Sequence, residues 1–118
     1  MDTIKKLLAS DVMVGDFVKL TKDYGIPADK IIQLTALEIY KIDQDDIEIE
    51  PIQLTEEILD KNSYNVYHGL EFIQYALDKI NVIREVDEKF YYSGIQLKYV
   101  HELQHLIKFI KLDKQFEL

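Results

Sequence analysis

The sequence predicts one α+β domain over residues 1–118, with an antiparallel sheet, either open or barrel-like, a short central helix and a C-terminal amphipathic helix. Three observations predict this class. Short segments rich in aromatic and β-branched residues recur between turn residues. One central segment carries helix-capping residues, and the last long segment repeats apolar residues at a helical period. At 118 residues, 47% of them hydrophobic, the chain can bury one core.

The N-terminal half is predicted to be mainly extended. Residues 17–20 follow the turn formed by Gly15 and Asp16 and predict a first strand. Residues 31–42 are rich in β-forming side chains and predict two short strands, the second over residues 39–42. Residues 43–50 end in strict alternation of isoleucine and glutamate, which is typical of an edge strand with an acidic outer side.

The central helix is predicted over residues 54–62. Thr55 is suited to the N-cap, and Glu56 and Glu57 complement the positive end of the helix dipole. Asn62 tolerates the left-handed backbone with which many helices stop. This segment is therefore bounded at both ends by residues that favour a helix boundary.

The segment after this helix predicts four antiparallel strands, near residues 64–67, 71–77, 80–86 and 88–92. Residues 70–83 also fit a helical period, and that alternative stays open at this stage. Five tyrosines in the segment could stack bases or form a binding face. Cross-strand packing is the favoured interpretation for aromatic residues in a sheet. These tyrosines are Tyr64, Tyr67, Tyr75, Tyr91 and Tyr92.

The closing helix is predicted over residues 97–110, followed by a short last strand at residues 116–118. At about 100° per residue, one side of this helix is apolar. The predicted apolar stripe consists of Tyr99, Val100, Leu103, Leu106, Ile107 and Ile110. The polar residues predicted to face outward on the other side are Lys98, His101, His105 and Lys108.

His101, Glu102 and His105 match the H-E-x-x-H pattern of zinc proteases. In that pattern two imidazoles one helical turn apart bind the metal, and the glutamate acts as general base. A catalytic zinc needs a third protein ligand, and Lys108 and Lys111 stand where the extended motif requires glycine and histidine. The favoured interpretation is a structural helix with no metal, no cofactor and no enzymatic activity. A minimal zinc hydrolase with His101 and His105 as ligands and Glu102 as base is the alternative.

Charge restricts the partners that this chain is expected to bind. The net charge is −8, which opposes direct binding to nucleic acid or to anionic membranes and suits a basic protein partner. An inhibitor that mimics nucleic acid is a further alternative. No apolar run is long enough for a membrane span, and the absence of cysteine suits the reducing cytoplasm.

An acidic segment supplies part of the predicted interaction face. Asp43, Asp45 and Asp46 hint at a calcium loop, but Ile47 and Glu48 stand where the loop needs other residues, so an acidic turn is favoured. Any partner surface is expected at the outward side of the last helix and at this segment. The residues of this predicted face are His101, His105, Lys108, Asp43, Asp45, Asp46 and Glu48.

Three segments resemble a family of small uncharacterised proteins of Bacteroides and related bacteria, often encoded in prophages and mobile elements. Residues 10–18 resemble an opening "sDLRIGNwV", and residues 49–62 resemble "IEPIPLTEEILEKNGF". Residues 95–106, with 116–118 after them, resemble "IKYVHELQHaL…KEIEL". The segments span nearly the whole chain, although Ser63 and Tyr64 replace Gly-Phe and the middle strands do not match closely.

The resemblance implies a cytoplasmic bacterial or phage protein without an assigned activity. It also implies that the family often has glutamine at the position of Glu102 and asparagine at that of His105, which disfavours a required metal site. The expected function is therefore that of a small cytoplasmic domain, a non-enzymatic protein-interaction or accessory factor of a bacterial mobile element or prophage.

Overall fold

The computed structural model describes residues 7–21, 30–77, 80–110 and 116–118. It divides the chain into two compact units, Met1–Ile52 and Gln53–Leu118. The predicted α+β class is confirmed, since the two antiparallel sheets are accompanied by helices. The described strands form two open sheets and no closed barrel, so the barrel-like variant of the prediction is wrong. A single domain over 1–118 stays a prediction.

The first unit contains a three-stranded antiparallel sheet in the order β2-β1-β3. The strands are β1 (Phe17–Leu20), β2 (Ile31–Gln33) and β3 (Ile49–Glu50), and helix α1 spans Ala36–Asp43. A 3-10 turn at Ala9–Asp11 precedes them. Burial of apolar side chains from all these parts is the main stabilising contribution. The buried core consists of Leu7, Val12, Val18, Leu20, Leu34, Ile42 and Ile49.

The strand predicted over residues 39–42 is wrong, because these residues lie in α1. Ile39 and Ile42 are three positions apart, so in a helix they share the side that packs on the core. Tyr40 then faces solvent. The preference of these residues for strands is weak compared with the free energy gained by packing Ile39 and Ile42 on the core. The predicted acidic edge strand is correspondingly shorter, and only Ile49–Glu50 pairs with β1.

The second unit contains a five-stranded antiparallel sheet in which strands adjacent in sequence are adjacent in space. Helix α2 (Glu56–Asn62) precedes the sheet, and helix α3 (Val100–Phe109) follows it. The predicted cap is confirmed, since Thr55 Oγ1 accepts the backbone N–H of Ile58. The strands are β4 (Asn65–His68), β5 (Ile73–Leu77), β6 (Ile80–Arg84), β7 (Phe90–Tyr92) and β8 (Ile95–Leu97).

The second half differs from the prediction in four details. The helical alternative for residues 70–83 is wrong, because β5 and β6 pair there. Strand β8 was not predicted, and α3 begins at Val100 rather than at Leu97. Residues 116–118 are not a strand. Phe116 is buried, and the Asn62 side chain pairs with both backbone groups of Glu117, accepting at 2.7 Å and donating at 2.6 Å.

The strand register separates the two faces of the five-stranded sheet. One face is buried and carries Tyr75, Leu77, Ile80, Val82, Phe90 and Leu97. The other face, called here the outer face, carries one residue from each strand in a continuous row across the sheet. This row is Tyr67, Gln74, Ile83, Tyr91 and Gln96, all exposed or half-buried. The tyrosines are thus divided between core packing and an accessible surface.

Candidate functional site

Helix α3 places the predicted motif differently from the sequence expectation. His101, predicted to face outward, is only 5% exposed, and Gln104 is buried as well. Leu106, predicted in the apolar stripe, is half-exposed. At about 100° per residue, the buried side is rotated by roughly 70° from the predicted stripe toward the histidines. The prediction of His101 as part of an exposed interaction face is therefore wrong.

Glu102 has a local structural role at the beginning of α3. Its Oε1 accepts the backbone N–H groups of Lys98 at 2.8 Å and of Tyr99 at 2.9 Å. The first backbone N–H groups at a helix start lack partners within the helix, so a carboxylate three residues in stabilises this end. The carboxylate that a zinc protease would use as general base is thus hydrogen-bonded to the backbone of its own helix start.

The two histidines pack as rings. His101 stacks on Tyr99 with ring centroids 5.8 Å apart and ring planes within 11°. The His105 ring meets it edge-on at 5.5 Å and 72°. Residues 7–21, 30–77, 80–110 and 116–118 contain no group of three or more histidine, aspartate or glutamate side chains placed to hold a metal ion. The zinc alternative therefore has no third ligand among these residues.

The remaining residues of the predicted interaction face belong to different units. His105 is half-buried and Lys108 is exposed on α3, in the second unit. Asp43, Asp45 and Asp46 are exposed and Glu48 is half-buried in the first unit. Asp45 adopts the left-handed backbone, with φ of 62°, in the turn that ends α1. This geometry matches the acidic turn that the sequence favoured over a calcium loop.

A groove lies on the outer face of the second sheet, at the end where two hairpins turn. Its volume is about 870 Å³. One hairpin joins β4 to β5 through residues 69–72, and the other joins β6 to β7 through residues 85–89. Because Ile73 pairs with Arg84, both turns lie at the same end of the sheet. We call this the hairpin groove; it is lined by Glu71, Phe72, Gln74, Ile83, Glu85, Val86 and Asp87.

Phe72 forms the aromatic part of the hairpin groove, and Gly69 leaves the space for its ring. A Cβ atom at Gly69 would lie 2.4 Å from the Phe72 ring. The same turn is closed by the Gly69 N–H donating to the Phe72 carbonyl at 2.8 Å. On its other side the ring meets Tyr67, with centroids 5.9 Å apart. The groove's aromatic surface therefore depends on the absence of a side chain at Gly69, in the same turn as Phe72.

Asp87 is the carboxylate of the groove that is tied most closely to its surroundings. Its Oδ2 accepts from the Tyr91 hydroxyl at 2.7 Å, and its Oδ1 accepts from the Lys89 backbone N–H at 3.0 Å. The hydrogen bond from Tyr91 is the main reason that the pKa of Asp87 is lowered, because it favours the charged carboxylate. The same bond raises the pKa of Tyr91. Both hydrogen bonds within this hairpin therefore favour the ionised form of Asp87.

The hairpin groove is acidic in its own lining. Among the described residues it is lined by three carboxylates, Glu71, Glu85 and Asp87, and by no lysine or arginine. The adjacent Arg84 makes ion pairs with Glu56 at 2.6 Å and with Glu88 at 3.4 Å. Its charge is therefore already balanced by carboxylates that do not line the groove.

Sequence reasoning did not predict the hairpin groove. The signal available in the sequence was a large apolar residue in each of the two turns, Leu70 and Val86. Neither side chain packs in the core. Leu70 is fully exposed, and Val86 is 74% exposed. Large apolar side chains in an otherwise polar turn are a reason to suspect a contact surface. The groove also needs the register of four strands, which is a property of the folded sheet.

Comparisons with known proteins give no match to any family model, curated protein or solved structure. In the part of the chain that the structure describes, no helix has the length and apolar content needed to cross a bilayer.

Proposed function

We propose that this chain is a non-enzymatic protein-interaction module whose binding surface is the hairpin groove. The main observation behind this proposal is that the groove lies on the accessible face of a sheet whose opposite face is buried. Two turns with exposed apolar side chains border the groove. Binding sites in proteins combine an apolar floor with a few placed polar groups. The floor here is supplied by Phe72, Ile83 and Val86, and the polar groups are carboxylates.

The exposed apolar residues of the two turns further support this proposal. Burial of the exposed Leu70 and Val86 side chains against a partner would contribute a favourable binding free energy of about 25 cal/mol per Å² of apolar surface removed from water. They belong to the two hairpins whose turns lie at the same end of the sheet. A partner that covers the groove can therefore contact both turns at once.

The contacts made by the H-E-x-x-H residues in α3 support the proposal that the chain is not an enzyme. Glu102 Oε1 binds two backbone N–H groups, and His101 is buried against Tyr99. A general base must reach the proton that it removes, directly or through one water. The resemblance of the three sequence segments supports placing this module in the cytoplasm, as an accessory factor of a bacterial mobile element or prophage.

Site-specific photo-crosslinking in the native host tests the interaction. A photoreactive amino acid replaces Val86 in the full chain, and a second variant carries it at Leu37, which is exposed on α1 in the other unit. We expect a discrete protein adduct from position 86 and none from position 37. Equal adducts at both positions, or no adduct at position 86, would overturn the proposal.

Gly69→Ala provides a further control, because it alters the groove without changing charge. The new Cβ would displace the Phe72 ring, which is partly exposed and can move outward. We expect the adduct from position 86 to weaken while the circular dichroism spectrum stays that of the parent chain. An adduct that is insensitive to this change would show that the groove is not the contact surface.

A further inference from the structure

We propose that the occupant of the hairpin groove is an arginine side chain from a basic segment of a protein partner. The inference rests on the proposed interaction function and specifies the chemistry of the partner. Its basis is charge complementarity combined with the composition of the lining: three carboxylates, one glutamine, one phenylalanine ring and two aliphatic side chains.

The carboxylates favour a cation in the groove. Glu71, Glu85 and Asp87 come from the two turns, and among the described residues the lining itself contains no cation. The Tyr91 hydrogen bond lowers the pKa of Asp87, and the charge of Lys89, outside the lining, adds to this effect. The Tyr91 hydroxyl and the Lys89 backbone N–H both favour the ionised form of Asp87, whose pKa is lowered. The chain carries a net charge of −8, so its overall field also attracts a basic partner.

The apolar part of the lining favours a cation with a long aliphatic stem. Ile83 and Val86 offer aliphatic contact, and Phe72 offers a ring that is 39% exposed. Long basic side chains bury their methylene stems on apolar surface while the charged head remains hydrated. A small inorganic cation would use only the carboxylates and leave this apolar surface in water.

Arginine fits this lining better than lysine. Its planar guanidinium can stack on an aromatic ring and pair with carboxylates through two parallel hydrogen bonds, whereas an ammonium is a compact and strongly hydrated charge. Arg84 of this chain is paired with Glu56 and Glu88 and is not among the groove's lining residues. The guanidinium is therefore expected from the partner.

Fluorescence anisotropy with the full chain tests the inference. The probe is a short labelled peptide that alternates arginine with valine; a second has lysine for arginine, and a third has uncharged citrulline. We expect the arginine peptide to bind at least about threefold more tightly than the lysine peptide, the scale of a cation–π contact at an exposed site. The citrulline peptide should not bind measurably.

Two pairs of variants locate the binding. Glu71→Lys/Glu85→Lys reverses two groove charges, and Glu57→Lys/Asp60→Lys makes the same net change at exposed positions of α2. We expect about tenfold weaker binding for the groove pair and a much smaller loss for the α2 pair. Phe72→Leu should abolish the preference for arginine over lysine, whereas Tyr40→Leu, on exposed α1 surface, should preserve it.

Each contrary result has a distinct meaning. Equal loss in both charge-reversal pairs would overturn the groove as the site, because only overall charge would then matter. Equal affinity of the arginine and lysine peptides would overturn the choice of arginine. Failure of both basic peptides, with the adduct from position 86 still present, would overturn the basic occupant and leave the interaction function standing. An adduct between two copies of this chain would identify a second copy as occupant and also overturn the inference.

Discussion

Helix α3 and the hairpin groove use their polar residues in opposite ways. In α3, His101 and Gln104 are buried, and Glu102 binds the backbone of its own helix start. In the groove, Glu71 and Glu85 are exposed beside apolar side chains that are also accessible. The helix contains a recognisable catalytic pattern, and the groove contains none.

The difference shows that the spacing of residues along a chain predicts their chemistry less well than their exposure in the folded protein does. The i, i+4 spacing of His101 and His105 brings two rings together, which serves ring packing as well as metal binding. The groove residues come from two turns and from strands β5 and β6, so no single local spacing links them. Four measurements test how individual residues contribute to stability and binding.

The largest effect is expected at the core side of α3. Leu103 is fully buried, so Leu103→Ala should lower the free energy of unfolding by about 2–5 kcal/mol through lost burial and a cavity. Leu70→Ala, at a fully exposed residue of a turn that borders the groove, should change it by no more than about 0.5 kcal/mol. Urea denaturation of both variants measures the contrast. Similar losses would remove the distinction between a structural helix and an accessible groove.

The second effect concerns the link between α2 and residues 116–118. Asn62 is buried, and its amide bonds Glu117 through both backbone groups and also donates to the Ile58 carbonyl. Asn62→Ala should cost about 1–3 kcal/mol, because part-buried backbone groups of Glu117 and Ile58 lose a hydrogen-bond partner. Asn81→Ala, at an exposed strand position, is the matched control. Equal stability of the two variants in urea would contradict this assignment.

The third effect decides between the structural and the zinc interpretations of Glu102. Glu102→Ala should cost about 1 kcal/mol, as for a lost helix cap. Glu102→Gln keeps an acceptor oxygen and should cost less. Elemental analysis of the parent chain should find no stoichiometric zinc. Stoichiometric zinc that disappears in His105→Ala, together with a zinc-dependent hydrolytic activity lost in Glu102→Gln, would reverse the interpretation.

The smallest effect is expected at Asp87 and Tyr91 in the groove. Tyr91→Phe removes the hydrogen bond that lowers the Asp87 pKa, so this pKa should rise toward its ordinary value. In the parent chain the depressed pKa contributes stability above the unfolded-state pKa of aspartate, and this contribution is lost as pH falls through the folded value. The raised pKa of Tyr91 contributes stability at lower pH, lost as pH rises through its folded value.

Carboxyl-detected NMR titration of Asp87 in the parent chain and in Tyr91→Phe measures this shift. Tyr92→Phe, on the neighbouring residue of β7, is the control and should leave the Asp87 titration unchanged. An unchanged titration in Tyr91→Phe would show that the side-chain hydrogen bond does not persist in solution.

Much of the second unit could be predicted from the sequence, because its local signals agree with its tertiary structure. Thr55 caps α2 as predicted, and β4 to β7 lie close to the predicted segments. In α1 the local signal and the final structure disagreed. Ile39 and Ile42 prefer strands, yet their three-residue spacing serves the core only in a helix. The environment that decides between these options is supplied by distant residues.

The sequence alone determined the α+β class, the capped central helix and the presence of a C-terminal helix, since these follow from local propensity, capping and periodicity. Tertiary structure decided which side of α3 is buried, because the Tyr99 ring and the neighbouring elements, not the helix's own pattern, bury His101. The formation of the hairpin groove also depends on tertiary structure. Strand pairing brings residues 71–74 and 83–87 together, and the β5–β6 register that places them side by side is not encoded in either segment alone.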